Sequence, residues 1–221
     1  QANATTASGI EKAEDSTGVV SVFLGRQEAK AITTTAAGYD LMASSQLLVA
    51  VEAELRLKDK RERILKDGLE QYLEAYDYII IDCPPALNLL TINGLRAAQK
   101  LLVPMQCEYF ALEGLAGLVE TVEELNLATG HNLQLEAIVR TMLDTRNNLG
   151  KMVSEELAKH FKDQLYSTII PRNIKLAEAP SHGKPALSYE PKARGSLAYL
   201  ALAGELVTKI ETERFEIAAN E

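Results

Sequence analysis

One carboxylate in the sequence stands where a metal or nucleotide site is often found. Asp82 directly follows the apolar run Tyr78-Ile79-Ile80-Ile81, and two prolines, Pro84 and Pro85, come just after it. In open α/β sheets, ligands bind outside the carboxyl ends of the strands. A carboxylate at such a position commonly holds Mg²⁺ through water, beside nucleotide phosphates. An aspartate that caps the next turn is the other interpretation, and these residues alone leave both open.

A second set of residues could contact phosphate groups through positive charge. The whole chain of 221 residues has a formal charge of -8, yet residues 140–195 contain ten Lys/Arg and six Asp/Glu, a balance of +4. The excess of cations is confined to this late stretch, so any nucleic-acid surface is expected there. Lysine and arginine contacts to phosphate provide affinity without sequence choice. Scattered, solvated cations are the alternative, which we favour for Lys184 taken alone.

The remaining composition excludes several classes of protein. No apolar run reaches the roughly 18 residues of a membrane span, and Gln1-Ala2-Asn3-Ala4 does not resemble a signal peptide. Cys83 and Cys107 follow apolar runs and are predicted to be buried free thiols in a reducing cytosol. Because the sequence does not start with Met, we expect it to be a partial sequence.

The hydrophobic periodicity predicts elements that would position these residues in one α/β domain spanning 1–221. Helices are predicted at 19–24, 46–57, 61–75, 91–99, 114–126, 151–161 and 196–210. Strands are predicted at 39–43, 78–82, 100–105, 135–142 and 165–170, with the 78–82 strand buried on both faces and a long loop at 171–195. This alternation indicates a doubly wound, mostly parallel sheet with helices on both faces.

Five blocks in order carry a resemblance to a known family. They read YIIIDCPP at 78–85, LTINGL at 90–95, VPMQCEYFALEGL at 103–115, TMLDTRNNLG at 141–150 and IIPRNIKLAEAPSHGKP at 169–185. This succession resembles the ParA/Soj family of chromosome- and plasmid-partition ATPases, which have a P-loop NTPase-like fold and a deviant Walker A loop. The first residues, Gln1 to Thr5, resemble those that follow the Asp-Pro after that loop. The resemblance therefore implies that the phosphate loop, a βαβ unit of roughly 40 residues, is missing here.

The resemblance also implies a nucleotide site for ATP and Mg²⁺. Asp82 would be the Walker B carboxylate on the Mg²⁺ side. Pro171, Arg172 and Asn173 would lie against the adenine, and Met142 and Asp144 would line the same pocket. Core packing for Met142 and strand termination for Pro171 are the alternatives. Glu108 and Glu113 could face nucleotide or a dimer partner, although we favour solvated or helix-capping carboxylates for both. Without the loop we expect the 221-residue chain to lack catalytic residues, to hydrolyse no ATP and to be poorly soluble.

The same resemblance assigns a DNA-binding surface and partners. Arg146 and Lys175 match basic positions of that surface, and Lys192 and Arg194 add charge nearby. The parent protein is expected to form a homodimer on ATP, bind DNA non-specifically, and release it when a ParB-like partner stimulates hydrolysis. Its expected location is cytoplasmic and nucleoid-associated, with no membrane binding.

Two alternatives stay open. A MinD-like membrane-surface ATPase shares the fold, but residues 211–221 are acidic, and anionic lipid would repel them. A non-catalytic binding module could keep the DNA and partner surfaces without nucleotide. A nitrogenase-reductase-like iron–sulfur role is set aside, because Cys83 and Cys107 lack the surroundings of a shared cluster.

Overall fold

The computed structural model describes residues 2–10, 18–26, 32–143 and 148–219. The chain divides into two compact units. The first unit comprises residues 1–100, 125–134 and 180–185, and the second comprises residues 101–124, 135–179 and 186–221. The single domain predicted over 1–221 stays a prediction.

The first unit consists mainly of short helices around an apolar centre. Its helices are α1 (Asn3–Ala7), α2 (Val19–Leu24), α3 (Leu48–Leu55), α4 (Ile64–Leu69, continued by a 3-10 turn at Glu70–Tyr72) and α5 (Leu89–Ala97), and β1 (Ile32–Thr34) pairs antiparallel with β2 (Asp40–Met42). The core contains Val20, Phe23, Val51, Leu55, Leu65 and Leu69. The helices predicted at 19–24, 46–57, 61–75 and 91–99 are confirmed; the second and third are shorter than predicted, and the fourth begins and ends two residues earlier.

Helix α5 is fixed by polar groups at its start and in its middle. Asn88 caps it, because its side chain accepts from the Thr91 N–H at 3.0 Å. The fully buried Asn93 accepts from the Leu65 N–H at 3.1 Å and donates to the carbonyls of Arg61 and Leu89 at 2.8 and 2.9 Å. These bonds join α5 to the start of α4 and satisfy every polar atom of the buried amide.

The second unit contains a three-stranded sheet in the order β3-β4-β5. From Lys100 onward the elements are β3 (Lys100–Gln106), α6 (Ala111–Thr129), β4 (Gln134–Leu143), α7 (Asn148–His160), β5 (Leu165–Pro171), α8 (Ile174–Glu178), a 3-10 turn at Ala179–His182, α9 (Ala186–Tyr189) and α10 (Arg194–Ala219). The last residues of α6 and of the 3-10 turn belong to the first unit. β4 and β5 run parallel, with Leu143 opposite Pro171. Strand and helix alternate along the chain, as in parallel sheets with helical crossovers.

Helices cover both faces of this sheet. Neighbouring residues of β4 point to opposite faces. Ile138 packs with residues of α6 and α7, including Leu115 and Leu157, whereas Ala137 and Val139 pack on the other face with Leu202 of α10. The predicted fold class, a parallel α/β sheet with helices on both faces, is confirmed.

A bulge interrupts the hydrogen-bond ladder between β4 and β5, and two charged side chains bond to the backbone groups that it displaces. The register shifts between Ile138 and Arg140, leaving extra residues on β5. The Arg140 guanidinium donates to the carbonyls of Tyr166 and Ser167 at 2.8 and 3.3 Å. From α10, the Glu205 carboxylate accepts from the N–H groups of Ser167 and Thr168 at 2.6 and 2.9 Å. Backbone groups displaced by the bulge are therefore still hydrogen-bonded.

The predicted strand at 78–82 is wrong for this structure. A strand requires a neighbouring strand to form its ladder, and residues 78–84 have none within the described ranges. Their apolar side chains are consequently not buried, and Ile80 is 87% exposed. Asp82 thus follows an extended but unpaired segment.

Two further predictions are corrected by the structure. The loop predicted at 171–195 is largely helical, because α8, the 3-10 turn, α9 and the start of α10 fall within it. Cys83 is exposed rather than buried, whereas Cys107 is buried as expected. The Cys83 sulfur nevertheless lies against α5, since a Cβ added at Gly94 would be 2.5 Å from it. Desolvation there, followed by the charge of Asp82, raises the pKa of the Cys83 thiol.

No helix of the described chain has both the length and the apolar character needed to cross a lipid bilayer.

Candidate nucleotide site and nucleic-acid interface

Met142 and Pro171 lie at the carboxyl ends of adjacent strands. The register pairs Leu143 of β4 with Pro171, the last residue of β5, so Met142 is one residue from that pair. Met142 has a φ of 49°, in the left-handed region that L-residues rarely adopt. Its side chain is 45% exposed, so it does not serve as core packing. The structure therefore brings these two predicted residues to one edge of the sheet.

Arg172 and Asn173 continue from the end of β5 into α8. The Asn173 side chain caps α8 by accepting from the Lys175 N–H at 2.9 Å. Arg172 is exposed just before it. The ends of these two neighbouring strands therefore carry the Met142 thioether, the Pro171 ring, the Arg172 guanidinium and the Asn173 amide. Ligands bind at this edge in α/β sheets. The remaining residue predicted for this pocket, Asp144, lies outside the described residues.

Asp82 belongs to the first unit and is exposed. Among the described residues, its carboxylate accepts no hydrogen bond and forms no ion pair. The turn that follows is instead closed by Thr91, whose hydroxyl donates to the carbonyl of Ala86 at 2.6 Å, and by the Asn88 cap. The alternative role of Asp82, capping this turn, is therefore performed by other residues.

Sequence reasoning missed a groove at the carboxyl ends of β3 and β4. It has a volume of about 940 Å³, and its lining includes Met105, Glu108, Leu118 and Leu149. Tyr109 and Phe110 form its rim, with their rings edge to face at a centroid distance of 5.0 Å, and each is 72% exposed. The signal in the sequence that could have indicated this groove is the pair of adjacent aromatic residues within VPMQCEYFALEGL. Glu113, on α6, is exposed as well.

The predicted DNA-binding cations occupy neighbouring helices of the second unit. Lys175 lies in α8, Arg194 begins α10, and Lys192 precedes it by two residues. Leu176 of α8 packs against α10, because a Cβ added at Gly195 would lie 2.5 Å from the Leu176 side chain. All three cations are exposed. Arg146 lies outside the described residues, so the structure places three of the four predicted cations.

These cations differ in their surroundings. The Lys175 ammonium lies 2.8 Å from the Glu178 carboxylate and 5.7 Å from the centre of the Tyr189 ring. The hydrogen bond to Glu178, and then its charge, raise the pKa of Lys175. Lys192 and Arg194 form no ion pair with any residue that the structure describes. The surface therefore has two unneutralised cations and one neutralised cation.

No grouping of three or more His, Cys, Asp or Glu side chains within the described ranges has the geometry to bind a metal ion. A magnesium ion held by Asp82 alone, through water, would not require such a group.

The sequence is similar to a well-defined set of proteins. A family model described as an AAA domain matches residues 1–137. The sporulation initiation inhibitor protein Soj of Bacillus subtilis is 46% identical over 208 residues, covering 93% of this chain and 82% of that protein. The chromosome partitioning protein ParA of Caulobacter vibrioides is 40% identical over 213 residues, covering 95% and 80%.

Solved structures show the same fold. A cobyrinic acid a,c-diamide synthase from Mycobacterium smegmatis, with bound ADP and magnesium, has a TM-score of 0.79 at 28% identity, covering 95% of this chain and 78% of that one. The cell division ATPase MinD of Pyrococcus furiosus has a TM-score of 0.74 at 19% identity, covering 94% and 81%.

Proposed function

Because the chain belongs to the ParA/Soj family of chromosome-partitioning ATPases, we propose that it is the greater part of an ATP-dependent DNA-partition protein. In this proposal the parent protein binds ATP and Mg²⁺, dimerises, binds DNA without sequence preference, and is released after hydrolysis stimulated by a ParB-like partner. One observation carries the proposal: the 46% identity to Soj over 93% of this chain. Cytoplasmic, nucleoid-associated localisation follows from the same proposal.

The residues at the sheet edge fit an adenine nucleotide. Met142 and Pro171 offer apolar surface to a base, and Arg172 and Asn173 offer donors, with Asp144 as a further member of the pocket. The Asp82 carboxylate provides oxygen atoms, which are the ligands that Mg²⁺ prefers. It accepts no hydrogen bond from any residue that the structure describes. The metal would supply charge neutralisation at the phosphates when bound. This chain's own residues would hold the base and one side of the metal.

The charges of the second unit fit duplex DNA bound through its phosphates. Lys175 and Arg194 are exposed on neighbouring helices, Lys192 is exposed in the turn before α10, and Arg146 would add a fourth cation. Dimerisation would place two such weak surfaces on one DNA, which increases avidity through effective concentration. A ligand-driven shift between two states then explains how a chain of charge -8 can bind DNA reversibly.

The DNA-binding proposal is tested with the full-length polypeptide that contains this chain. Replacing both Lys192 and Arg194 by Gln should weaken ATP-dependent binding to duplex DNA of arbitrary sequence and reduce the magnitude of the salt slope by about 1.8, or 0.9 per lost contact. Lys162→Gln removes an exposed cation at the amino end of β5 and is the matched control. Equal affinities for both variants, or an Arg146→Ala variant that binds like wild type, would argue against this DNA surface.

The metal assignment has a separate test. Asp82→Ala in the full-length polypeptide should abolish Mg²⁺-dependent ATP turnover, whereas Asp77→Ala, an exposed carboxylate five residues earlier, should leave it unchanged. Normal turnover by the Asp82 variant would refute the role of this carboxylate.

Two alternatives are outcomes of these experiments. DNA binding that is indifferent to nucleotide would indicate a non-catalytic binding module. Co-flotation with anionic liposomes in the presence of ATP, without DNA binding, would indicate a MinD-like membrane-surface ATPase.

A further inference from the structure

Among the predicted DNA-binding cations that the structure describes, Lys175 is neutralised by a carboxylate. Its ammonium lies 2.8 Å from Oε2 of Glu178, one turn further along α8. The same oxygen accepts a hydrogen bond from the Tyr189 hydroxyl at 3.2 Å, and the Lys175 ammonium lies over the Tyr189 ring. One carboxylate oxygen therefore holds the lysine of α8 and the tyrosine of α9 together.

Helix stability does not account for this ion pair. In α8, a helix of five residues, the lysine precedes the glutamate by three positions. The helix dipole favours the opposite order. Glu156 and Lys159 of α7 show that favoured order, with 2.6 Å between their charged atoms. Exposed pairs of either kind contribute little to folding.

We propose that Glu178 masks Lys175 and so lowers the affinity of the free protein for DNA. This inference rests on the proposed DNA-binding function. A phosphate that approaches Lys175 meets a carboxylate within hydrogen-bonding distance of the same ammonium, so the pair presents no net charge. DNA must displace Glu178 from Lys175, whereas Lys192 and Arg194 contact phosphate without such an exchange. Glu178 thus sets how readily the surface binds DNA, and Tyr189 positions its carboxylate.

The test measures the affinity of the full-length polypeptide, with ATP and Mg²⁺, for duplex DNA of arbitrary sequence between about 50 and 200 mM salt. Glu178→Gln should bind about two- to fivefold more tightly than wild type, since one exposed ion pair no longer competes. Its salt slope should stay close to that of wild type, because Lys175 contacts phosphate in both complexes and only the cost of displacing Glu178 is removed. Glu156→Gln removes the comparable pair on α7 and should change neither quantity.

A double-variant cycle separates masking from general repulsion. If Glu178 acts through Lys175, then Glu178→Gln should give no gain in a Lys175→Gln background. An equal gain in both backgrounds would mean that Glu178 only repels DNA and would overturn the masking role. Circular dichroism checks that each variant is folded.

The outcomes distinguish this inference from the function on which it rests. If Lys175→Gln weakens binding but Glu178→Gln does not strengthen it, the DNA surface stands and the masking role is wrong. If neither wild type nor Glu178→Gln binds duplex at any salt concentration, both are wrong. Tighter binding by Glu178→Gln that depends on Lys175 supports both.

Discussion

The ammonium of Lys209 lies 3.3 Å from the carboxylate of Glu136, a side chain that is only 3% exposed. Lys209 also donates to the carbonyls of Glu136 and Asp163 at 3.1 and 2.9 Å, so α10 is joined to the amino ends of β4 and β5. The Tyr166 hydroxyl donates to the same carboxylate at 2.9 Å. Desolvation, followed by this hydrogen bond to Glu136, raises the pKa of Tyr166 far above its ordinary value.

Removing the Lys209 charge should destabilise the fold. Lys209→Met removes the ammonium beside the buried Glu136 carboxylate together with its hydrogen bonds to two carbonyls, and we expect a loss of about 2–3 kcal/mol in the free energy of unfolding. Urea denaturation measures it. Lys159→Met, which breaks the exposed pair with Glu156, is the control and should have no measurable effect. A loss no larger than that of the control would show that Glu136 is satisfied without Lys209.

The Glu205 carboxylate should make stability dependent on pH. Burial works to raise the pKa of Glu205, but hydrogen bonds from Thr168 and Ser167 together outweigh it and leave the pKa below its ordinary value of 4.5. A lowered folded-state pKa means that this stabilisation is fully present above about pH 4.5 and is lost as the pH falls through the folded-state value.

Glu205→Gln should therefore cost about 1–2 kcal/mol at neutral pH, and the difference from wild type should vanish in acid. Thermal melting across a pH series measures both. A difference that persists unchanged below the folded-state pKa would point to a loss of packing rather than of charge.

The buried amide of Asn93 should be essential to the first unit. Asn93→Ala leaves the Leu65 N–H and the Arg61 carbonyl without their partner, and we expect a loss of about 2–4 kcal/mol. Asn132→Ala, at an exposed position of the same unit, is the matched control. Hydrogen exchange should show faster exchange in α4 and α5 of the Asn93 variant alone, and similar protection in both variants would contradict this role.

The backbone at Met142 predicts opposite effects of two substitutions. Asparagine tolerates a positive φ, so Met142→Asn should raise the free energy of unfolding by about 0.5–1 kcal/mol. Met142→Val should lower it by about 1–2 kcal/mol, because a β-branched residue is strained there. If Met142 contacts the base, the Asn variant of the full-length polypeptide should also bind ATP several-fold more weakly, as measured by calorimetry. Unchanged affinity would remove Met142 from the site.

Periodicity was sufficient to predict most elements of the second unit. The helices at 114–126 and 151–161 and the strands at 100–105, 135–142 and 165–170 are present, because each buries one face against a neighbour within the described chain. The prediction of a strand at 78–82 is wrong for a physical reason. An apolar run indicates that a segment tends to be buried, but it does not indicate whether a partner strand is present.

Parts of the candidate site were beyond the reach of sequence patterns. Residue types were sufficient to predict where β4 and β5 end, and therefore that Met142 and Pro171 lie at those ends. The contact between Glu178 and Lys175 depends on α8, because it joins residues three apart in that helix, and 171–195 is predicted from the sequence as a loop. The Asn93 network likewise requires α4 and α5 to meet in space.

The contact between Glu205 and β5 also bears on self-association. β5 is an edge strand of the described sheet, and exposed edge strands readily pair with strands of other molecules. Glu205 occupies two of its N–H donors, so a foreign strand cannot recruit them at neutral pH. Acid that protonates this carboxylate frees these donors while it weakens the fold, and so opens a route to aggregation that begins at β5.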